Sequence, residues 1–178
     1  ALTTSEPVAI LATSFALAHT EDALDRSLAL APGSRAMQTG GFKGRAKEID
    51  AETMLATVSA RFGVPDSHII AEYGMTEMSS QFYETTLRVA LGLDDPGPRH
   101  LRAPHWVRVT PVDAHTLEPT DGVGLLRIDD CANVGSVACL QTSDRGVLFK
   151  SGFRLLGRDA QAVPRGCSLA VEEALAGG

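Results

Sequence analysis

The sequence is short of several things, and each shortage narrows what the chain does. Its three cysteines, Cys131, Cys139 and Cys167, are an odd number at spacings that fit no zinc motif. Neither a disulfide framework nor a thiolate metal centre is expected from them. The five histidines, His19, His68, His100, His105 and His115, are scattered without metal-ligand spacing. No apolar run nears the roughly 20 residues of a helical membrane span. The opening ALTTSEP lacks the basic segment of a secretory leader. Basic residues are also outnumbered, with 16 Lys and Arg against 22 Asp and Glu for a net charge of −6. That balance speaks against general binding of nucleic acid or of an anionic membrane surface, both of which select basic patches. A soluble, cytoplasmic protein with free thiols is the expectation. Three common motifs are missing as well: GxGxxG after a strand, GxxxxGK[ST] and GxSxG. The segment TGGFKGR (39–45) has glycines and a lysine at the wrong spacing for a P-loop.

What is present is material for a proper core: 178 residues, 44% of them hydrophobic, enough for one domain or a domain with a small subdomain. PVAILATSF (7–15) reads as a strand buried on both faces. TEDALDRSLALA (20–31) reads as a helix ending at Pro32-Gly33, and SRAMQTGG (34–41) as a second strand. Asp50 is placed to cap a helix bearing Met54, Leu55, Val58 and Phe62 on one face, stopped by Gly63-Val64-Pro65. HIIAEYG (68–74) supplies a third strand. Alternation of this kind predicts right-handed βαβ units and a parallel sheet.

The texture changes at DDPGPRHLRAP (94–104), where proline and glycine mark a boundary. Beyond it lie short runs separated by turn signals, with TDG (120–122) and DRG (144–146) resembling hairpin turns. The expected fold class is α/β: a parallel sheet with flanking helices plus a small antiparallel β subdomain. The expected division is 1–97 for the α/β part, 98–158 for the β subdomain and 159–178 for a C-terminal tail.

Ligands of open parallel sheets bind at the carboxyl ends of the strands. Those ends carry Thr13-Ser14, Thr39-Gly40-Gly41 and Tyr73-Gly74-Met75-Thr76-Glu77. Glycines admit close backbone approach, hydroxyls and amides bind oxyanions, and a carboxylate can hold Mg²⁺. Small polar groups at three successive strand ends suit a phosphate-bearing ligand. Taken alone, Tyr73 reads better as an ordinary strand-end aromatic and Thr76-Glu77 as a helix start, and Asp144 is a normal hairpin aspartate. Cys131 and Cys139, in strand-like apolar runs, are expected as small core residues.

Tyr73-Gly74-Met75-Thr76-Glu77 resembles the YGxTE motif of the adenylate-forming superfamily of acyl-CoA synthetases and related ligases. Gly40-Gly41 falls where that superfamily has its adenine-flanking glycines, and Thr142-Ser143-Asp144 resembles its T-G-D, with serine in place of glycine. Phe153 to Arg158, FRLLGR, resembles the strand and Gly-Arg hinge that follow. The resemblance spans residues 40–158, in the superfamily's order. It implies ATP and AMP as ligands, with Tyr73 stacked on adenine, Thr76 on the α-phosphate, Glu77 on Mg²⁺ and Asp144 on the ribose hydroxyls. Gly40, Gly41, Gly74, Thr142 and Arg158 complete the implied nucleotide site.

Within the superfamily the likeness is to LuxE-type acyl-protein synthetases, through GGFKGR, EYGMTEMSSQFYE, LLRIDDCANVGSVACLQTSD and GRDAQAVPRGCSLAVEE. Such enzymes activate a fatty acid with ATP, acylate their own cysteine and hand the acyl group to a partner reductase. Cys167 stands at the place of that acyl-accepting cysteine, with Arg165 and Arg158 as cations to lower its pKa. A carboxylate–CoA ligase of the phenylacetate type and a non-catalytic nucleotide-binding or docking module are the alternatives. The superfamily's phosphate loop is expected upstream of residue 1. The resemblance therefore implies the C-terminal half of a synthetase, whose N-terminal half supplies the rest of the site.

Overall fold

The computed structural model describes residues 5–23, 27–40 and 51–160. Among them run β1 (Ala9–Thr13), α1 (Ser14–Ala23), β2 (Arg35–Thr39), α2 (Ala51–Phe62), β3 (Ile69–Tyr73), β4 (Phe82–Glu84) and α3 (Thr86–Ala90). There follow β5 (Leu101–Arg102), β6 (Val107–Val112), β7 (Gly124–Asp130), β8 (Cys139–Phe149) and β9 (Gly152–Arg158). The strands form one nine-stranded sheet in the order β1-β2-β3-β4-β5-β9-β8-β7-β6. β1, β2 and β3 are parallel, and every pairing from β3–β4 onward is antiparallel. The mixed α/β architecture matches the fold class that the alternation of residue types predicts.

In the parallel part, Ile10, Ala36 and Ile69 lie in register across the three strands. They meet Leu17 of α1 and Met54, Val58 and Phe62 of α2 in one apolar cluster. Met54, Val58 and Phe62 recur every four residues, so one stripe of α2 faces the sheet. Burying each such side chain is worth about 1.5–3 kcal/mol. Glu52 and Arg61 sit at the helix ends that suit their charges. Gly63, at φ +65°, ends the helix in the left-handed conformation, its N–H donating to the Ser59 carbonyl at 2.9 Å.

The first helix differs from expectation. It begins at Ser14, because the Thr13 hydroxyl accepts the Ala16 N–H at 3.1 Å and caps it. Leu28 and Leu30, within the expected helix, are not helical: their N–H groups donate to the carbonyls of Arg61 and Phe62 at 2.7 and 3.1 Å. Both leucines still reach the core, as extended chain laid along α2.

A second cluster lies in the antiparallel part, around Phe82, Leu101, Val107, Val109, Leu126, Ile128 and Phe153. Along β7 burial alternates strictly, with Gly124, Leu126, Ile128 and Asp130 inward. The expected turn at 144–146 is instead an irregularity within β8, where the register against β9 shifts between Asp144 and Gly146. A bulge uses the same small and polar residues as a turn. The chain reverses later, between Phe149 and Gly152. Cys131 and Cys139 are exposed and free, so they are not the core residues their apolar neighbours suggest. Hydrogen bonding to the Asp129 carboxylate, with that residue's negative charge adding to it, raises the Cys139 thiol's pKa.

Candidate functional site

β1, β2 and β3 end side by side, with Thr13 in register with Thr39 and Thr39 with Glu72. Local bonds fix these ends. The Ser14 hydroxyl is buried and donates to the Gly40 carbonyl at 2.6 Å, holding Gly40 at φ +72°. The Thr39 hydroxyl donates to the Glu72 carboxylate. On the far side of β3, Glu84 accepts the Ala71 N–H at 2.8 Å and pairs with Arg99. Arg99 also donates to the Ile69 carbonyl at 2.9 Å and the Asp66 carbonyl at 3.1 Å. Together Glu84 and Arg99 satisfy the edge of β3 where β4 does not reach it.

The last residue of β3, Tyr73, ties the two parts of the sheet. Its ring lies 5.7 Å from Phe82 and 6.0 Å from Phe153, and those two rings meet edge to face at 5.0 Å. Its hydroxyl donates to Asp144 Oδ2 at 2.7 Å. Burial, then the Asp144 charge and this hydrogen bond, push the phenol's pKa well above its ordinary value. Asp144 stands opposite Arg158 in the β8–β9 ladder, with Arg158 Nε 3.4 Å from its Oδ1. Thr142 backs it, accepting the Asp144 N–H at 3.1 Å while donating to the Leu126 carbonyl at 2.8 Å. Tyr73, Thr142, Asp144 and Arg158 are thus brought together from segments up to 85 positions apart in the chain.

Thr76 and Glu77 are exposed in the turn just after β3. Among the described residues no group of three or more His, Cys, Asp or Glu could hold a metal ion. Glu77 alone fits a divalent cation only in the way Mg²⁺ is often held, by one carboxylate with phosphates and water as the other ligands. Gly41 and Cys167, with Lys43, Lys47 and Arg165, lie outside the described residues. No helix among the described residues is long and apolar enough to cross a membrane.

Sequence reasoning missed Asp130, Asn133, Ser80 and Trp106, which bind the 77–80 segment to the end of β7. Asp130 is fully buried and Asn133 nearly so. The signal for Asp130 was its phase: in GLLRIDD it falls on the inward side, where every other residue is apolar or glycine.

No protein-family model matches the chain, and no curated protein does. Solved structures do share its fold, among them CoA ligases and fatty acyl-adenylate ligases. ATP-bound MatB from Rhodopseudomonas palustris matches over 88% of this chain and 32% of its own, with a TM-score of 0.58 and 14% identity. The AMP complex of o-succinylbenzoate coenzyme A synthetase from Bacillus subtilis matches over 88% and 32%, with 0.52 and 18%. A long-chain-fatty-acid-CoA ligase from Archaeoglobus fulgidus matches over 85% and 34%, with 0.52 and 14%. The chain therefore spans about a third of the length of the structures it resembles.

Proposed function

We propose that this chain is the nucleotide-binding portion of an ATP-dependent, AMP-forming carboxylate ligase. One observation carries the reading. Tyr73, Asp144 and Arg158, which sequence likeness assigns independently to a nucleotide site, form one cluster beside the carboxyl end of β3, joined by a hydrogen bond and an ion pair. The fold is shared with ATP- and AMP-bound enzymes, which favours adenine nucleotides over other phosphate ligands.

The chemistry suits the residues. A carboxylate is a poor acyl donor because oxide is its leaving group. Attack of its oxygen on the α-phosphorus of ATP expels pyrophosphate and forms a mixed anhydride whose leaving group is AMP. In this reading Tyr73 flanks the adenine, Asp144 accepts from the ribose hydroxyls, and Arg158 pairs with Asp144 and orients it. Thr76 donates to the α-phosphate. Glu77 holds Mg²⁺, which when bound neutralises phosphate charge. The finer reading is an acyl-protein synthetase of the LuxE type. There the Cys167 thiolate attacks the acyl carbonyl, AMP departs, and the thioester passes a fatty acyl group to a reductase.

Calorimetric titration of the chain with AMP tests the coarse reading: binding is expected, weakened at least about tenfold in Asp144→Ala, or about 1.4 kcal/mol. Absence of binding by the folded wild type refutes it. The finer reading is tested with the complete synthetase, ATP and labelled fatty acid. Label retained on protein, released by hydroxylamine and lost in Cys167→Ser, supports it. Acyl-CoA formed with no labelled protein refutes it in favour of coenzyme A as acceptor.

A further inference from the structure

The segment carrying Thr76 and Glu77 runs through residues 74–81 between β3 and β4, and it has no regular structure of its own. Such a segment holds a geometry only if something outside it fixes its backbone. Here the outside support is unusually polar. Asp130 Oδ2 accepts the N–H groups of Ser79 and Ser80 at 3.1 and 2.9 Å. Its Oδ1 accepts the Ser80 hydroxyl at 2.8 Å and the Ala132 N–H at 3.0 Å. Ser80 Oγ in turn accepts from the Trp106 indole N–H at 2.9 Å. Asn133 adds a second hold: its Oδ1 accepts the Ser79 hydroxyl at 2.9 Å, and its Nδ2 donates to the Glu77 carbonyl at 2.7 Å and the Val137 carbonyl at 2.9 Å.

A carboxylate on the core face of β7 is a poor choice for stability alone. Burial of charge carries a desolvation penalty that the bonds it accepts must first offset. What the carboxylate provides is direction, since its two oxygens take four donors at once. Three of those donors belong to Ser79 and Ser80, and Asn133 reaches the backbone of Glu77 itself. Burial alone would raise the Asp130 pKa, but the bonds from Ser80, Ala132 and Ser79 outweigh it and keep the group ionised below the usual carboxylate range.

We propose that Asp130 and Asn133 are positioning residues of the nucleotide site. They form a latch that fixes the backbone of residues 77–80 and so aims Thr76 and Glu77 at the phosphates. The inference rests on the reading of the site given above. It separates two functions within that site. Tyr73 and Asp144 hold the nucleoside, whereas the latch serves only the phosphate side.

That separation gives the test. The chain, with Asp130→Asn and Asn133→Ala variants, is titrated with adenosine and with AMP in the presence of Mg²⁺. The quantity read is the ratio of the two dissociation constants, the gain that the phosphate confers. Asp130→Asn keeps the shape but sets an amide donor against backbone donors, and Asn133→Ala removes the hold on Glu77 without touching a buried charge. Each is expected to lower the ratio about tenfold, equivalent to about 1.4 kcal/mol, while adenosine affinity stays within about twofold of wild type. A role in global folding alone would weaken both ligands together. Trp106, the single tryptophan, is bonded into the latch, so its emission should shift in Asp130→Asn. An unchanged ratio in either folded variant overturns the latch. A wild type that binds neither ligand overturns the functional reading, and the latch proposal with it.

Discussion

Replacing Tyr73 by phenylalanine isolates one bond that joins the parallel part of the sheet to β8. The ring contacts with Phe82 and Phe153 remain, so no cavity forms and the change is confined to the hydroxyl. That hydroxyl donates to a carboxylate at 2.7 Å, a class of bond worth about 1.5–3 kcal/mol net. Urea unfolding at pH 7 should show wild type more stable than Tyr73→Phe by about that amount. The pH dependence carries a sign. The folded phenol's pKa is raised, so its stabilisation is full below the unfolded value of about 10 and falls above it. Between pH 9 and pH 11 the unfolded chain releases this proton and the folded chain keeps it. The gap between wild type and variant should therefore narrow by about 1.4 kcal/mol by pH 11. Tyr83, the other tyrosine, is present in both proteins and cancels. A gap under about 0.5 kcal/mol at pH 7, half or less of an ordinary net hydrogen bond, or one constant to pH 11, refutes the argument.

Two further outcomes follow from the packing. A Cβ on Gly152 would overlap the backbone carbonyl of Leu101, so Gly152→Ala must displace β9 from β5. We expect a loss of about 1–3 kcal/mol in urea unfolding, and an unaltered midpoint would contradict the close approach. Asp130 has a depressed pKa in the folded protein, so its stabilisation is present above the unfolded value of about 3.9 and is lost as pH falls. Between pH 4 and pH 2 wild type should lose stability faster than Asp130→Asn, by up to about 1.4 kcal/mol per pH unit. Parallel acid curves would mean that the carboxylate is not held ionised.

The parallel strands were legible in the sequence because their signals are local. Each is a short apolar run closed by small residues, and the stripe on α2 repeats at helical spacing. The departure at residues 20–31 has a physical cause: Leu28 and Leu30 are two apart, the spacing of extended chain, and the helix is capped earlier, by Thr13. Where strands face partners distant in sequence, legibility fell. Nothing in DRG distinguishes a hairpin turn from a bulge, because the choice depends on whether β9 lies alongside. Tyr73 and Asp144 could each be singled out by likeness, but their hydrogen bond spans 71 positions and follows only from the folded sheet. Asp130 was hidden for a different reason: polar residues in a β-rich stretch suggest surface, and only strict alternation along β7 marks this one as inward.

The irregular step between β8 and β9 makes the site depend on counting as well as on chemistry. Strand side chains alternate between faces, so a one-residue change in register reverses every side chain beyond it. Asp144 meets Arg158 at an irregular step, where β8 advances two residues, from Asp144 to Gly146, while β9 covers three, from Arg158 to Leu155. Deleting Arg145 would slip this register by one residue, leave every residue of the cluster in the sequence, and turn the carboxylate out of phase with its partners. Relatives that keep the tyrosine and the aspartate but differ by one residue in this stretch would thus share the motif without sharing the site.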